Sequence, residues 1–206
     1  GAVWEMLRAG SRVLGEPVIM GITAENLAEK YGISRDDQDQ VALESHNKAE
    51  AATRTGRFQE EIVPIELPGG KGGARLFAED EHTRLGLTMA DLARLKPAFK
   101  PSGTVTAGNS SGLNDGAAAA IIMSRGKAKG LGLKPLARIL THAVAGVEPQ
   151  LMGYGPVPAT EKALRKAGMS LGDIQVIEAN EAFAAQYRAC ERGLGLDRSL
   201  GNVDGR

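Results

Sequence analysis

Apolar and polar positions change their arrangement once along this chain. Before residue 103, short helical stripes alternate with polar connections. Thr23 is placed to cap a helix through Lys30 and Tyr31, with Gly32 to end it. The Ser34-x-x-Asp37 spacing is that of a capping box. It predicts a second helix to about Thr55, with Gly56 as its stop. Val41, Ala42, Ala49 and Ala52 supply a narrow buried stripe and charged residues the wet face. Glu61–Ile65 reads as a short strand. Pro68-Gly69-Gly70-Lys71-Gly72-Gly73 then breaks all periodicity. It lacks the G-K-[ST] ending and strand-to-helix context of a phosphate loop, so it reads as a surface loop.

After residue 103, Thr104-Val105-Thr106 is strand-like and Gly108 to Gly116 is a loop of small residues. Ala117 to Met123 is a continuous apolar run, suited to a strand buried on both faces, although periodicity alone equally allows a buried helix. Ala159 to Ala167 predicts a helix ended by Gly168, Asp173 to Ala179 a strand, and Glu181 to Gln186 the opening of a further helix. Alternating elements of this kind predict α/β layering.

Composition removes some function classes. Twenty-five basic residues balance twenty-five acidic ones, so no net field favours nucleic acid or an anionic membrane. No apolar run approaches the roughly 20 residues that span a bilayer. The single cysteine, Cys190, allows no intramolecular disulfide and fits a reducing, intracellular setting. Gly1-Ala2-Val3-Trp4 has neither an initiator Met nor targeting character. Asn202 to Arg206 is a turn-like stretch, and both ends read as cut, although composition alone equally allows an ordinary surface tail.

Three segments carry more specific chemistry: Gly103 to Gly116 (GTVTAGNSSGLNDG), Met152-Gly153-Tyr154-Gly155-Pro156, and Asn180-Glu181-Ala182-Phe183-Ala184-Ala185-Gln186. A loop of Gly108, Asn109, Ser110, Ser111 and Gly112 has little side-chain bulk, so either a ligand can approach its backbone closely or it is simply a tight turn. Asn180 stands where a strand should end and a helix begin, the usual place for functional groups in open α/β sheets. It also suits a helix N-cap. Met152, Phe183 and Phe99 read by themselves as core residues, and Arg84 as a surface arginine.

In order and spacing these segments resemble the thiolases, the acetyl-CoA acetyltransferases and 3-ketoacyl-CoA thiolases. Met20-Gly21-Ile22-Thr23-Ala24-Glu25-Asn26 and Leu95-Lys96-Pro97-Ala98-Phe99 extend the likeness over essentially the whole chain. The resemblance implies a layered α/β fold of mixed sheets and helices, present in part, with a loop-domain insertion. Residues 1–114 would belong to the loop domain, 115–135 would close the first half, and 136–206 would open the second. It also implies that Asn180 holds an oxyanion-hole water, a kind of donor worth roughly 3–4 kcal/mol in a transition state. Met20, Phe99, Ala107, Ser111, Met152, Ala182 and Phe183 would line the pantetheine path of coenzyme A. Arg84 would stack on the adenine ring.

The implied partner is an acyl-CoA or CoA, as substrate, with no metal or redox cofactor and with a homo-oligomeric assembly. The family compartment, cytoplasmic or mitochondrial/peroxisomal, stays open. Ile19 stands where thiolases often have histidine, and Arg206 where they have a second glycine. The family's nucleophilic cysteine and its Gly-His-Pro and Cys-x-Gly-Gly segments have no counterpart here. Cys190 has no nucleophile signature and reads as a buried thiol. His46, His82 and His142 have no metal-ligand spacing. The expectation is a polypeptide that is inactive alone, cut from an acyltransferase that works through a cysteine acyl-enzyme. A noncatalytic thiolase-like module that binds acyl-CoA or lipid, or acts as a scaffold, is the alternative.

Overall fold

Local caps decide most helix boundaries in this chain. The computed structural model describes residues 19–69 and 73–205. Helix α1 (Met20–Tyr31) is closed by Gly32 in the left-handed region, at φ 58°, where glycine carries no Cβ penalty. It starts three residues before Thr23. The Thr23 hydroxyl donates to the Met20 carbonyl at 2.7 Å, so Thr23 sits inside the first turn rather than capping it. Helix α2 (Arg35–Arg54) has both halves of the Ser34–Asp37 capping box and ends at Thr55. Gly56 follows at φ 74°.

Strands β1 (Ile65–Leu67) and β2 (Arg75–Phe77) form an antiparallel pair with Glu66 opposite Leu76. The strand expected at Glu61–Ile65 therefore begins only at its last residue. Turn bonds from the Gln59 and Ile62 amides to Gly56 and Phe58 hold the preceding chain coiled, and Pro64 has no amide to donate. The glycine-rich loop lies partly outside the described residues. Helix α3 (Met89–Ala93) carries its own capping box from Thr88 to Asp91, and α4 (Arg125–Gly130) starts at Ser124. A 3-10 turn at Pro149–Tyr154 leads into α5 (Pro156–Ala167), stopped by left-handed Gly168 as its sequence predicts. Helix α6 spans Ala184–Leu194.

Three predicted strands are not realised, and the first, Thr104–Thr106, makes only an isolated antiparallel bridge from Thr106 to Pro97. Ala117–Ile122 is exposed and enters no ladder among the described residues. An apolar strand is held by neighbours on its edges and faces, and no described element packs there. Asp173–Ala179 begins in a 3-10 turn, Leu171–Asp173. It then makes one isolated parallel bridge, Ile177 to Gly201.

The core lies where α1 meets α6. Ala24, Leu27 and Ala28 pack with Ala185, Ala189, Ile33 and Val105, and the rings of Tyr31 and Tyr154 stack beside them. Alanines on both helices let the backbones approach closely. Leu27, fully buried, is the largest contributor; truncating such a leucine to alanine costs about 2–5 kcal/mol. A smaller cluster joins Val41 of α2 to Ala184 and Tyr187 of α6.

Candidate functional site

The small-residue loop is held from below by buried polar groups. The Glu25 carboxylate, 3% exposed, accepts from the Thr104 and Val105 amides at 2.9–3.0 Å. Asn109 is the hub of the loop. Its Oδ1 accepts from the Thr106 amide at 2.8 Å, and its Nδ2 donates to Asp39 at 2.9 Å and to the Thr104 carbonyl at 3.1 Å. One amide side chain thus ties the loop to α2.

That anchoring places the Asn180–Gln186 segment. Ser110 bridges Phe183, the Ser111 amide donates to the Ala182 carbonyl, and the Ala184 amide donates to the Asn109 carbonyl. Phe183 is therefore extended, at φ −143° and ψ 134°, and α6 begins at Ala184, with Phe183 at the N-cap position. This corrects the expected helix start at Glu181. It also removes the N-cap reading of Asn180, which lies four residues before the first helical one.

A cleft of about 770 Å³ opens beside this segment, and Met20, Met152, Asn180, Ala182 and Phe183 all line it. The Phe183 ring meets Phe99 edge-on at 6.0 Å. Gly21 makes room for that pair, since a Cβ there would lie 2.4 Å from the Phe99 ring. Ser111 faces a second cleft of about 740 Å³, shared with His46, His82, Asn114 and Glu181. Arg84, Phe99 and Ala107 line neither cleft. Arg84 and Ala107 are exposed, and Phe99 reaches the first cleft only through Phe183. The structure thus brings five of the nine candidates together, with Phe99 behind them, and leaves Ser111, Arg84 and Ala107 on other surfaces.

Cys190 is in the wall of the first cleft, in surroundings that oppose its ionisation. It is 4% exposed, and burial pushes its thiol up to about 11. Its Sγ donates to the Gly153 carbonyl at 3.3 Å and accepts from Gln186 at 3.5 Å. The reactive form is the thiolate, which this environment suppresses. Across the chain backbone from Asn180, Glu181 is half-buried and its carboxyl is pushed up by desolvation. Ser45, Asn202, Lys48 and Arg198 pull it the other way. Among the described residues no three His, Cys, Asp or Glu side chains group as a metal site.

Sequence reasoning passed over Glu25, the Asn109 side chain and Asn202. Glu25 and Asn109 lie inside motifs but have charge and amide groups that look solvent-facing until the fold buries them. Asn202 had one local signal, its place at the start of the turn-like Asn202–Arg206 stretch. Asparagine tolerates the left-handed region, and Asn202 adopts φ 43°.

Residues 5–126 match the family model described as "Thiolase, N-terminal domain", and residues 133–206 match "Thiolase, C-terminal domain". The acetyl-CoA acetyltransferase of Rhizobium meliloti is 55% identical over 186 residues, 90% of this chain and 47% of that protein. The chain thus spans about half the length of the curated relatives it matches. A crystal structure of the Bacillus anthracis acetyl-CoA acetyltransferase superposes with a TM-score of 0.87 at 50% identity, covering 99% of this chain and 50% of the other. Human mitochondrial 3-ketoacyl-CoA thiolase in complex with CoA gives 0.87 at 46% identity, covering 99% of this chain and 49% of the other.

Proposed function

The chain belongs to the thiolase family, and from that premise we propose that it supplies the CoA-cradling and oxyanion-supporting part of an acyltransferase. Its fold is part of the layered α/β fold of that family. The reaction is the condensation of acetyl-CoA units or the thiolysis of a 3-ketoacyl-CoA. A CoA thioester is substrate, and the acyl group is carried on a cysteine thiolate, in two covalent half-reactions that give ping-pong kinetics. The carrying observation is the cleft that gathers Met20, Met152, Ala182 and Phe183 around Asn180. Its apolar wall suits the pantetheine arm, and the Asn180 amide suits a water that donates to the thioester or enolate oxygen. Ser111 and Arg84 would meet more distal parts of CoA.

The division into a loop-domain part at 1–114, a closing element at 115–135 and a second half from 136 is part of this reading. The change of family model between residues 126 and 133 supports it. The acyl-carrying cysteine is not Cys190, whose burial opposes ionisation, so the 206-residue polypeptide alone should not turn over. Loss of one member of a catalytic unit costs nearly as much as loss of all.

The test is acetoacetyl-CoA thiolysis by the full-length gene product, by its Asn180→Ala variant and by the 206-residue polypeptide. The expected result is a drop in kcat of about 10²–10³-fold for the variant and no turnover by the polypeptide. An unchanged kcat in the variant would remove the oxyanion role. Robust turnover by the polypeptide would reopen the search for its nucleophile at Cys190.

A further inference from the structure

We infer that Asn202 is the positioning residue for Asn180, holding the Ala179 peptide groups before it and the Glu181 carboxylate after it through a single side-chain amide. This deepens the reading of Asn180 given above and rests on it. The Asn202 Oδ1 accepts from the Ala179 amide at 2.8 Å, and its Nδ2 donates to the Ala179 carbonyl at 2.7 Å. The same Nδ2 also donates to the Glu181 carboxylate at 2.7 Å. Each partner is a direct chain neighbour of Asn180, one before it and one after.

The geometry is that of a missing strand. Ala179 packs against the cluster of Val41, Ala184 and Tyr187 and the Glu181 carboxylate meets Ser45 and Lys48, so both neighbours of Asn180 are tied to α2 and its surroundings while Asn180 lines the cleft. Ala179 would ordinarily pair its N–H and C=O with an adjacent strand, but the pairing here is one bridge from Ile177 to Gly201. The Asn202 carboxamide, carrying one donor group and one acceptor, takes the place of the next peptide in that ladder. It comes from a well-fixed position. Its own amide donates to the Ile177 carbonyl at 2.9 Å, its carbonyl accepts from Gly205 at 3.0 Å, and the residue is 2% exposed. Its left-handed backbone, at φ 43°, is one that asparagine adopts more readily than most residues.

Glu181 completes the clamp. Its carboxylate is reached by the Ser45 hydroxyl and by the charges of Lys48 and Arg198, with Tyr187 also facing it. Lys48 in turn donates to the Gly201 carbonyl at 3.0 Å. Helix α2 and the 198–202 turn therefore hold Ala179 and Glu181 in place, and Asn180 between them lines the cleft. A displacement of about 1 Å at a reacting group can cost about 100-fold in rate, so this clamp bears on kcat more than on binding.

The experiment compares steady-state acetoacetyl-CoA thiolysis in the full-length gene product and its Asn180→Ala, Asn202→Ala, Asn202→Asp, Glu181→Gln and Asn202→Asp/Glu181→Gln variants. Each is checked for folding by circular dichroism, and Arg57→Ala serves as a control for general loosening of the turn, because Arg57 pairs with Asp204 at 3.1 Å. For Asn202→Ala the expected result is a kcat lowered about 10- to 100-fold with KM for CoA within about twofold. Asn202→Asp sets two carboxylates against each other and should be most active at acid pH, where one of them is protonated and can donate. Adding Glu181→Gln restores a donor to that pair and should recover part of kcat and flatten the pH profile.

Arg57→Ala should lower stability and leave kcat alone. Asn202 variants that fold and keep wild-type kcat, in an enzyme slowed by Asn180→Ala, would overturn the positioning role and leave the Asn180 reading intact. An enzyme indifferent to Asn180→Ala would overturn both. A shared fall in kcat for Arg57→Ala and Asn202→Ala, with no rescue by the double variant, would reduce Asn202 to a structural residue. If Asn202→Ala does not fold, the pH profile and rescue of the Asn202→Asp pair decide the matter in the same way.

Discussion

Removing the Asn109 side chain should unfasten the small-residue loop from α2 and weaken everything the loop supports. The side chain makes three buried hydrogen bonds, to the Thr106 amide, the Thr104 carbonyl and the Asp39 carboxylate. Two of these join neutral partners, at about 1 kcal/mol each, and the third joins a carboxylate, at about 2 kcal/mol. Asn109→Ala should therefore destabilise by about 4 kcal/mol, in the upper range for single substitutions. Asp39 keeps its contact to Arg35 at 2.7 Å but loses its second partner, so Asp39→Ala on the Asn109→Ala background should cost less than it does alone. A coupling of about 1–2 kcal/mol is expected from groups in direct contact. The assay is urea denaturation of the full-length gene product and its three variants in this cycle, followed by far-UV circular dichroism. Additive effects, or a loss below about 1 kcal/mol for Asn109→Ala, would refute the hub. The Asn109 carbonyl, which alanine retains, holds the Ala184 amide at the start of α6, so a loop loosened from α2 should displace that start and lower CoA affinity along with stability.

Four further outcomes are expected. The His46 Nδ1 accepts from the Arg84 amide at 3.2 Å, and burial, then His82 and Arg84, depress its pKa from 6.5. The unfolded chain therefore takes up the proton first, and stability should fall as pH drops below about 6.5 toward the folded value. His46→Gln, titrated by urea midpoint between pH 5 and 8, should flatten that slope, and an equal slope would exclude His46 as its source. With its thiol pushed up to about 11, Cys190 should resist iodoacetamide at pH 8 in native protein and react in urea; full native labelling within minutes would contradict its burial. Gly21→Ala should push Phe99 off Phe183 and weaken CoA binding measured by calorimetry, whereas unaltered binding would show that the ring pair does not shape the cleft. Ile121, Leu136 and Val144 are 89%, 106% and 78% exposed, so the 206-residue polypeptide should self-associate, and a monodisperse monomer in concentrated light-scattering samples would count against this.

What could be read in the sequence is what short-range interactions control. Ser34 and Asp37 are one turn apart, and their capping box forms as spaced. Gly32 and Gly168 terminate helices because only their own backbone freedom is needed. The motif residues around Asn109, Met152 and Asn180 were legible for the same reason, as contiguous words with recognisable chemistry. Tertiary structure decided what depends on partners distant in the chain. Ala117–Met123 has strand composition, yet a strand is a property of a pair, and no described neighbour supplies its ladder. Helix α6 starts at Ala184 rather than Glu181 because residues 109–111, some seventy positions earlier, claim the intervening backbone. Asn202 reads locally as a turn residue, and its amide became a substitute peptide for Ala179 only once the fold brought the two together. Local propensities set where the chain can bend and coil. Which polar groups end up buried, and therefore which must find partners, is settled by packing across the whole chain.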